Sequence, residues 1–195
     1  MPLTPTENEV VQSAAAVSSV LSAVGNLLLM HHTAGWRTAP RPSRFTLRVL
    51  FFLSTTNLGQ CIGFALGNLP VQLGGAVGCS AQALLLQACG LSTVLWTCVL
   101  AHGLWRSACR ADGPAALARD EMPRTLAAFG LPVLSCAVLW SRGDLGEEED
   151  SAVQDQWCWV GVAGGSSATD GELRFAALYL WVALGGSTRS SSSAR

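Results

Sequence analysis

Long apolar runs alternate with short polar stretches along this chain, and the runs are long enough to form membrane-crossing helices. About 20 consecutive apolar residues are needed to cross the hydrocarbon core as an α-helix. The pattern predicts five such spans, at residues 10–30, 49–69, 79–105, 125–140 and 173–186. The fifth run is too short to cross the hydrocarbon core unaided. It is followed by a Ser-rich tail, 187–195, which we expect to be disordered.

Prolines and glycines separate the predicted spans. Pro40 and Pro42 predict that no helix forms between residues 31 and 48, and Pro70 begins a predicted tight loop at residues 70–78. Three glycines strengthen that prediction: Gly74, Gly75 and Gly78. Pro132 falls inside the fourth span, where neighbouring helices can satisfy the carbonyl that it leaves unbonded.

The charge distribution supports the same fold class, an all-α membrane protein. Charged residues make up 13% of the chain, against about 25% in typical soluble domains. No Asp, Glu, Lys or Arg lies between Arg48 and Arg106. The lipid bilayer is therefore the predicted partner, and the net charge of −1 gives no reason to expect nucleic acid.

The sequence contains no pattern typical of catalysis. We find no HExxH, GxSxG or P-loop motif and no pair of intramembrane carboxylates. His31 and His32 are adjacent, so they do not share a helix face. We therefore predict no enzyme activity, no cofactor and no metal site.

Arginine counts predict the orientation in the membrane. Loops 31–48 and 106–124 hold four arginines each, loop 70–78 holds none, and loop 141–172 holds only Arg142. Cytoplasmic loops carry the excess of positive charge. Residues 1–9 are therefore predicted to be extracellular, and the chain to be a multi-pass protein of the plasma membrane.

This orientation places two cysteines on the oxidising side. Cys79 lies at the outer end of the third span, and Cys158 lies in the long outer loop, so that the two can form a disulfide. The alternative is that both remain unpaired. The other cysteines are predicted to be free thiols: Cys61, Cys89, Cys98, Cys109 and Cys136.

A few polar and aromatic residues stand out inside the spans. Gln82, Thr93 and Trp96 share one face of the third span, which fits either a ligand-binding core or hydrogen bonding between helices. Asn26 and Asn57 are isolated polar residues, which we interpret as interhelical contacts.

Three stretches resemble a receptor family. They are Leu50-Phe-Phe-Leu-Ser-Thr-Thr-Asn57-Leu; Cys79-x-x-Gln82 followed by Ser92-Thr-x-x-Trp96-Thr; and Trp157-Cys158-Trp159-Val160 followed by Arg174-Phe175 and Tyr179-x-Trp181. In this order they resemble the second helix, third helix and second outer loop of the cyclic-AMP-receptor-like G-protein-coupled receptors, the group of the slime-mould chemoattractant receptors.

The resemblance implies a seven-transmembrane receptor-type helix bundle, of which about four to five helices are present here. It implies an extracellular small-molecule ligand of unknown identity, a heterotrimeric G protein as partner, and the Cys79–Cys158 disulfide. The candidate ligand-binding or bundle-core residues are Gln82, Thr93, Trp96, Trp157, Trp159 and Arg174. Asn57 stands where the family usually has an acidic residue, and helices six and seven have no counterpart, so we expect a chain truncated after the start of helix five.

A second hypothesis is a non-signalling structural or scaffolding membrane protein, or a truncated isoform that dimerises with a full receptor. A channel or transporter fragment is least favoured, because no charged residue lies inside the first four spans.

The predicted orientation has a direct test. An epitope inserted between Ser141 and Glu172 should be reached by antibody on intact cells, because this loop is predicted to be extracellular. Labelling that requires permeabilised cells would contradict the orientation.

Overall fold

The computed structural model describes residues 5–67, 69–109, 121–142, 145–146 and 159–160. The described residues form four α-helices, a short 3-10 helix and two short strands. The helices are α1 (Pro5–Thr33), α2 (Arg41–Ala65), α3 (Leu69–Cys109) and α4 (Glu121–Arg142), and the 3-10 helix is Ala34–Arg37. The strands are β1 (Leu145–Gly146) and β2 (Trp159–Val160).

Helix α3 is the central element of the fold. It packs against α2 on one side and α4 on the other, and α1 packs against α2. Strands β1 and β2 pair antiparallel, with Leu145 opposite Val160, and both lie against α3. The fold is therefore consistent with an all-α membrane protein that carries one small two-stranded ribbon.

Neighbouring helices run antiparallel, which gives the described bundle two ends. On α2 and α3, Gly63 approaches Leu86 while Phe45 approaches Gly103. The arginine end of the bundle is the end where α2 begins and α3 finishes. The disulfide end is the opposite end, where α3 carries Cys79. In the predicted orientation the arginine end faces the cytosol.

Three of the described helical segments are long and apolar enough to cross a membrane. They are Glu9–Arg37, Gln72–Cys109 and Met122–Arg142, judged by length and composition. Helix α2, which covers most of the predicted second span, is not among them, because polar side chains from Ser54 to Gln60 lower its hydropathy. The fifth predicted span, 173–186, and the tail, 187–195, lie outside the described residues.

The predicted break at Pro40 is confirmed, because residues 38–40 separate the 3-10 helix from α2. The prediction that no helix forms in the rest of 31–48 is wrong. Helix α1 continues through His32 to Thr33, and α2 begins at Arg41, with Pro42 in its first turn. Proline is tolerated there because the first amide groups of a helix have no partner within the helix.

The expected tight loop at residues 70–78 is likewise helical. The helix is broken only at Gly75, where φ is 53° and ψ is −139°. The chain leaves α2 at Gly67, which has a φ of 52°. Positive φ carries little cost for glycine, so the chain can bend at these two positions. Of the three glycines that predicted the loop, only Gly75 adopts this conformation.

An aromatic core holds the arginine end together. Val49 of α2, Trp96 of α3 and Ala128 of α4 are buried, and Phe52 and Phe129 pack around them. The Trp96 ring stacks on Phe52 with centroids 5.1 Å apart and meets Phe129 edge-on at 5.5 Å. This cluster joins all three helices, and offset or edge-on aromatic pairs of this kind stabilise a fold beyond simple burial.

Candidate functional site

Helices α2 and α3 approach closely because glycines lie between them. A Cβ atom added at Gly59 would lie 2.5 Å from the Sγ atom of Cys89, and one at Gly63 would lie 2.6 Å from Cδ2 of Leu86. Small residues at a helix interface allow backbones to come together in lipid, where packing and hydrogen bonds provide the attraction. This α2–α3 interface contains most of the residues singled out from the sequence.

Gln82 joins α3 to the end of α2. It is 3% exposed, and its Nε2 atom donates hydrogen bonds to the carbonyl oxygens of Gly63 at 2.9 Å and Gly67 at 2.8 Å. The last carbonyls of any helix lack partners within the helix. Gln82 therefore supplies two donors where the backbone of α2 needs them, which is the geometry of an interhelical contact.

Thr93 makes a second polar contact across the same interface. Its hydroxyl donates to Oδ1 of Asn57 at 3.1 Å and also lies 3.1 Å from Oγ1 of Thr56. Asn57 thus faces α3. Thr56 also donates to the carbonyl of Leu53 on its own helix, 3.0 Å away. Asn57 is thus bonded to α3, and Thr56 is bonded both to α3 and to the α2 backbone.

Trp96 lies at the arginine end of the same interface. It is 1% exposed, and its indole Nε1 is buried with no hydrogen-bond acceptor within the described ranges. An unpaired buried donor is unfavourable, so the aromatic packing of Trp96 must offset that cost. Gln82, Thr93 and Trp96 are therefore spread along α3 and do not converge on one pocket.

The cysteines fall into two groups. Cys79 is disulfide-bonded and 0% exposed, at the disulfide end of α3. The other five cysteines that the structure describes have free thiols: Cys61, Cys89, Cys98, Cys109 and Cys136. Cys158, the predicted partner of Cys79, lies outside the described residues, so the pairing itself stays a prediction.

The two-stranded ribbon lies beside the same part of the fold. Strand β1 follows α4 closely, and β2 begins at Trp159, the residue after Cys158 in the sequence. Both strands contact α3. Trp159 pairs with Gly146 through its backbone, whereas Trp157 and Arg174 lie outside the described residues.

A polar groove lies between α1 and α2. It has a volume of about 450 Å³ and is lined by Ser18, Ser19, Ser22, Asn57, Gln60, Cys61 and Phe64. Of these, only Asn57 was a candidate from the sequence. In the sequence, the i, i+4 spacing of Ser18 and Ser22 could have indicated this groove, because it places both hydroxyls on one helix face.

Asn26 lies near this groove but bonds mainly to its own helix. Its Nδ2 atom donates to the carbonyl of Ser22 at 2.8 Å, and it reaches α2 through Sγ of Cys61 at 4.0 Å. A sulfur acceptor at that distance is weak. Asn26 therefore contributes less to helix association than Asn57 does.

Metal and cofactor sites are not apparent in the part of the chain that the structure describes. There, no three His, Cys, Asp or Glu side chains are grouped so that they could hold a metal ion. The described chemistry is that of packing, hydrogen bonding and one disulfide.

No protein-family model matches the chain, and no curated protein matches it in sequence.

The role of Gln82 can be measured with Gln82→Met, which keeps the side-chain length and removes both donors. We expect a loss of stability of about 1–3 kcal/mol, because two carbonyls of α2 lose their partner in apolar surroundings. Thermal unfolding of the purified protein in detergent gives the measurement. Thr97→Val is the matched control, since the Thr97 hydroxyl donates to the carbonyl of Thr93 on its own helix. Equal effects of the two variants would contradict an interhelical role for Gln82.

The sulfur pairing can be mapped by alkylation of the folded protein under non-reducing conditions, followed by peptide mass spectrometry. Cys79 and Cys158 should resist alkylation until a reductant is added, whereas Cys109, exposed at the end of α3, should react at once. A free thiol at Cys158 in folded protein would refute its pairing with Cys79.

Proposed function

We propose that this chain belongs to a cell-surface receptor of the G-protein-coupled type, similar to the cyclic-AMP-receptor-like family. In this proposal, an extracellular ligand acts at the disulfide end, and the arginine end faces a heterotrimeric G protein. The N-terminus is extracellular and the membrane is the plasma membrane.

The observation that carries the proposal is the disulfide-bonded cysteine at the end of the central helix. Cys79 is fully buried at the disulfide end of α3, and the ribbon that follows α4 lies against α3. A disulfide between Cys79 and Cys158 would hold the loop after α4 over this end of the bundle. Such a restraint lowers the entropy of a long loop and shapes the surface that a ligand meets.

The central position of α3 supports a signalling role. It contacts both strands of the ribbon. Its middle is hydrogen-bonded to α2 through Thr93, and its arginine end carries Trp96 in the aromatic core. A shift of α3 caused by a ligand would therefore change the packing of Trp96 against α2 and α4. Coupling between two sites needs a shared element of this kind with two arrangements.

The second candidate is a non-signalling membrane protein that associates laterally with other helices. The polar groove between α1 and α2 favours it, because Gln60 and the serines of α1 line this groove. Amide and hydroxyl groups at membrane depth favour association with another helix that can hydrogen-bond to them.

Nucleotide-sensitive coupling separates the two candidates. The full chain, expressed with a panel of heterotrimeric G proteins and solubilised without nucleotide, should retain one heterotrimer on affinity purification. Addition of a non-hydrolysable guanosine triphosphate analogue should release it, because a receptor binds the nucleotide-free G protein most tightly.

Retention of a partner that the nucleotide analogue does not release would favour the scaffolding alternative. If the disulfide orders the receptor, Cys79→Ser should weaken the nucleotide-sensitive complex. Cys98→Ser is the matched control, since Cys98 is exposed and has a free thiol. Failure of every heterotrimer to co-purify would contradict the receptor proposal.

A further inference from the structure

Four arginines without an acidic neighbour in the sequence lie where α1 ends and α2 begins. They are Arg37, Arg41, Arg44 and Arg48, and no Asp or Glu occurs between Glu9 and Asp112. Such a concentration of one sign of charge in a short stretch creates a strong local field. The receptor proposal gives no role to this concentration of arginines.

The structure places three of these arginines around one short turn. The guanidinium carbon of Arg37 lies 5.4 Å from the ring centroid of Trp36, and that of Arg48 lies 5.5 Å from it. Arg44 reaches the same turn, since its Nη2 atom donates to the carbonyl of Arg37 at 2.9 Å. Trp36 is thus the centre of a cationic cluster, which we call the Trp36 cluster: Trp36, Arg37, Arg44 and Arg48.

The positive charge of the cluster is partly exposed. Arg37 and Arg44 are exposed, and neither forms an ion pair within the described part of the chain. Burial, together with the nearby Arg44, lowers the pKa of Arg48, although a guanidinium stays protonated in proteins. Helix α2 also begins here. Its N-cap residue, Pro40, makes no side-chain cap bond, and its first turn contains no acidic residue. The dipole of α2 therefore adds positive potential at this point.

The position of the cluster indicates what anion it meets. The apolar segment Glu9–Arg37 ends in the cluster, so Trp36 lies where a membrane span reaches the interface. Tryptophan and arginine are both favoured at the level of the lipid headgroups. A phosphate group at this level belongs to a lipid, and arginine is well suited to bind phosphate oxygens in pairs.

We propose that the Trp36 cluster binds the phosphate-bearing headgroup of an anionic lipid, with Arg37 and Arg44 as the principal ligands and Trp36 anchoring the turn in the interface. In the predicted orientation this is the cytoplasmic leaflet, where anionic lipids are concentrated. The bound lipid would hold the connection between α1 and α2 against the membrane.

Native mass spectrometry of the full chain in detergent micelles measures this binding directly. The probes are phosphatidylserine and phosphatidylcholine with identical acyl chains, titrated separately. We expect phosphatidylserine to bind more tightly, and the preference to fall as salt is raised, because exposed charges are screened. Arg44→Gln should weaken phosphatidylserine binding roughly fivefold, the contribution typical of one basic side chain at an anionic surface.

Arg142→Gln is the matched control, because Arg142 is also exposed near a helix end but lies at the disulfide end. It should leave phosphatidylserine binding unchanged. Equal binding of the two lipids by the unmodified protein, or equal weakening by Arg142→Gln and Arg44→Gln, would overturn the proposal.

A separate competition distinguishes lipid from free phosphate. Inorganic phosphate, added at the concentration at which phosphatidylserine saturates the protein, should not displace the lipid. Displacement at that concentration would mean a site for a soluble anion, which overturns the lipid assignment. Should Arg44→Gln fail to fold, Arg44→Lys keeps the charge and should retain the preference for phosphatidylserine, and loss of that preference would also count against the proposal.

Discussion

The described fold depends on one constraint: an apolar environment offers no hydrogen-bond partner to the polar groups of α2, so α3 must provide them. The carbonyls of Gly63 and Gly67 receive hydrogen bonds from Gln82, and Asn57 receives one from Thr93. These contacts are possible only because Gly59 and Gly63 let the helices approach. Removing a partner from such a pair leaves a buried polar group unsatisfied, which costs more than the hydrogen bond itself contributes.

The same constraint explains why α3 is central. A helix with polar residues on one face must keep that face against protein, and α3 also presents Trp96 to the aromatic core that joins α2 and α4. Its two ends thus have different chemistry, a buried disulfide-bonded cysteine at one end and an aromatic cluster bordered by arginines at the other. This separation makes α3 suited to the receptor role that we propose, and it places the Trp36 cluster away from the ligand end.

The sequence predicted the positions of the helices better than their limits. Long uncharged runs identified α1, α3 and α4, because exclusion of charge from hydrocarbon is a strong and local signal. Helix ends were harder to predict, because Pro42 is compatible with a first turn and only Gly67 and Gly75 of the nearby glycines adopt positive φ. The sequence also identified Gln82, Thr93 and Asn57 as polar residues that needed partners, without indicating that Gln82 would bond to backbone carbonyls.

By itself, then, the sequence determined which segments are apolar, which ends carry arginine and which residues are polar within the spans, since each of these is a property of residue order alone. The tertiary structure decided which partner each polar group has and which residues form the groove between α1 and α2. It also decided that Trp36 gathers three arginines around one turn. These features depend on the distances between helices. Those distances depend on the bends at glycine and on close packing across each interface. The periodicity of a single segment encodes neither of these.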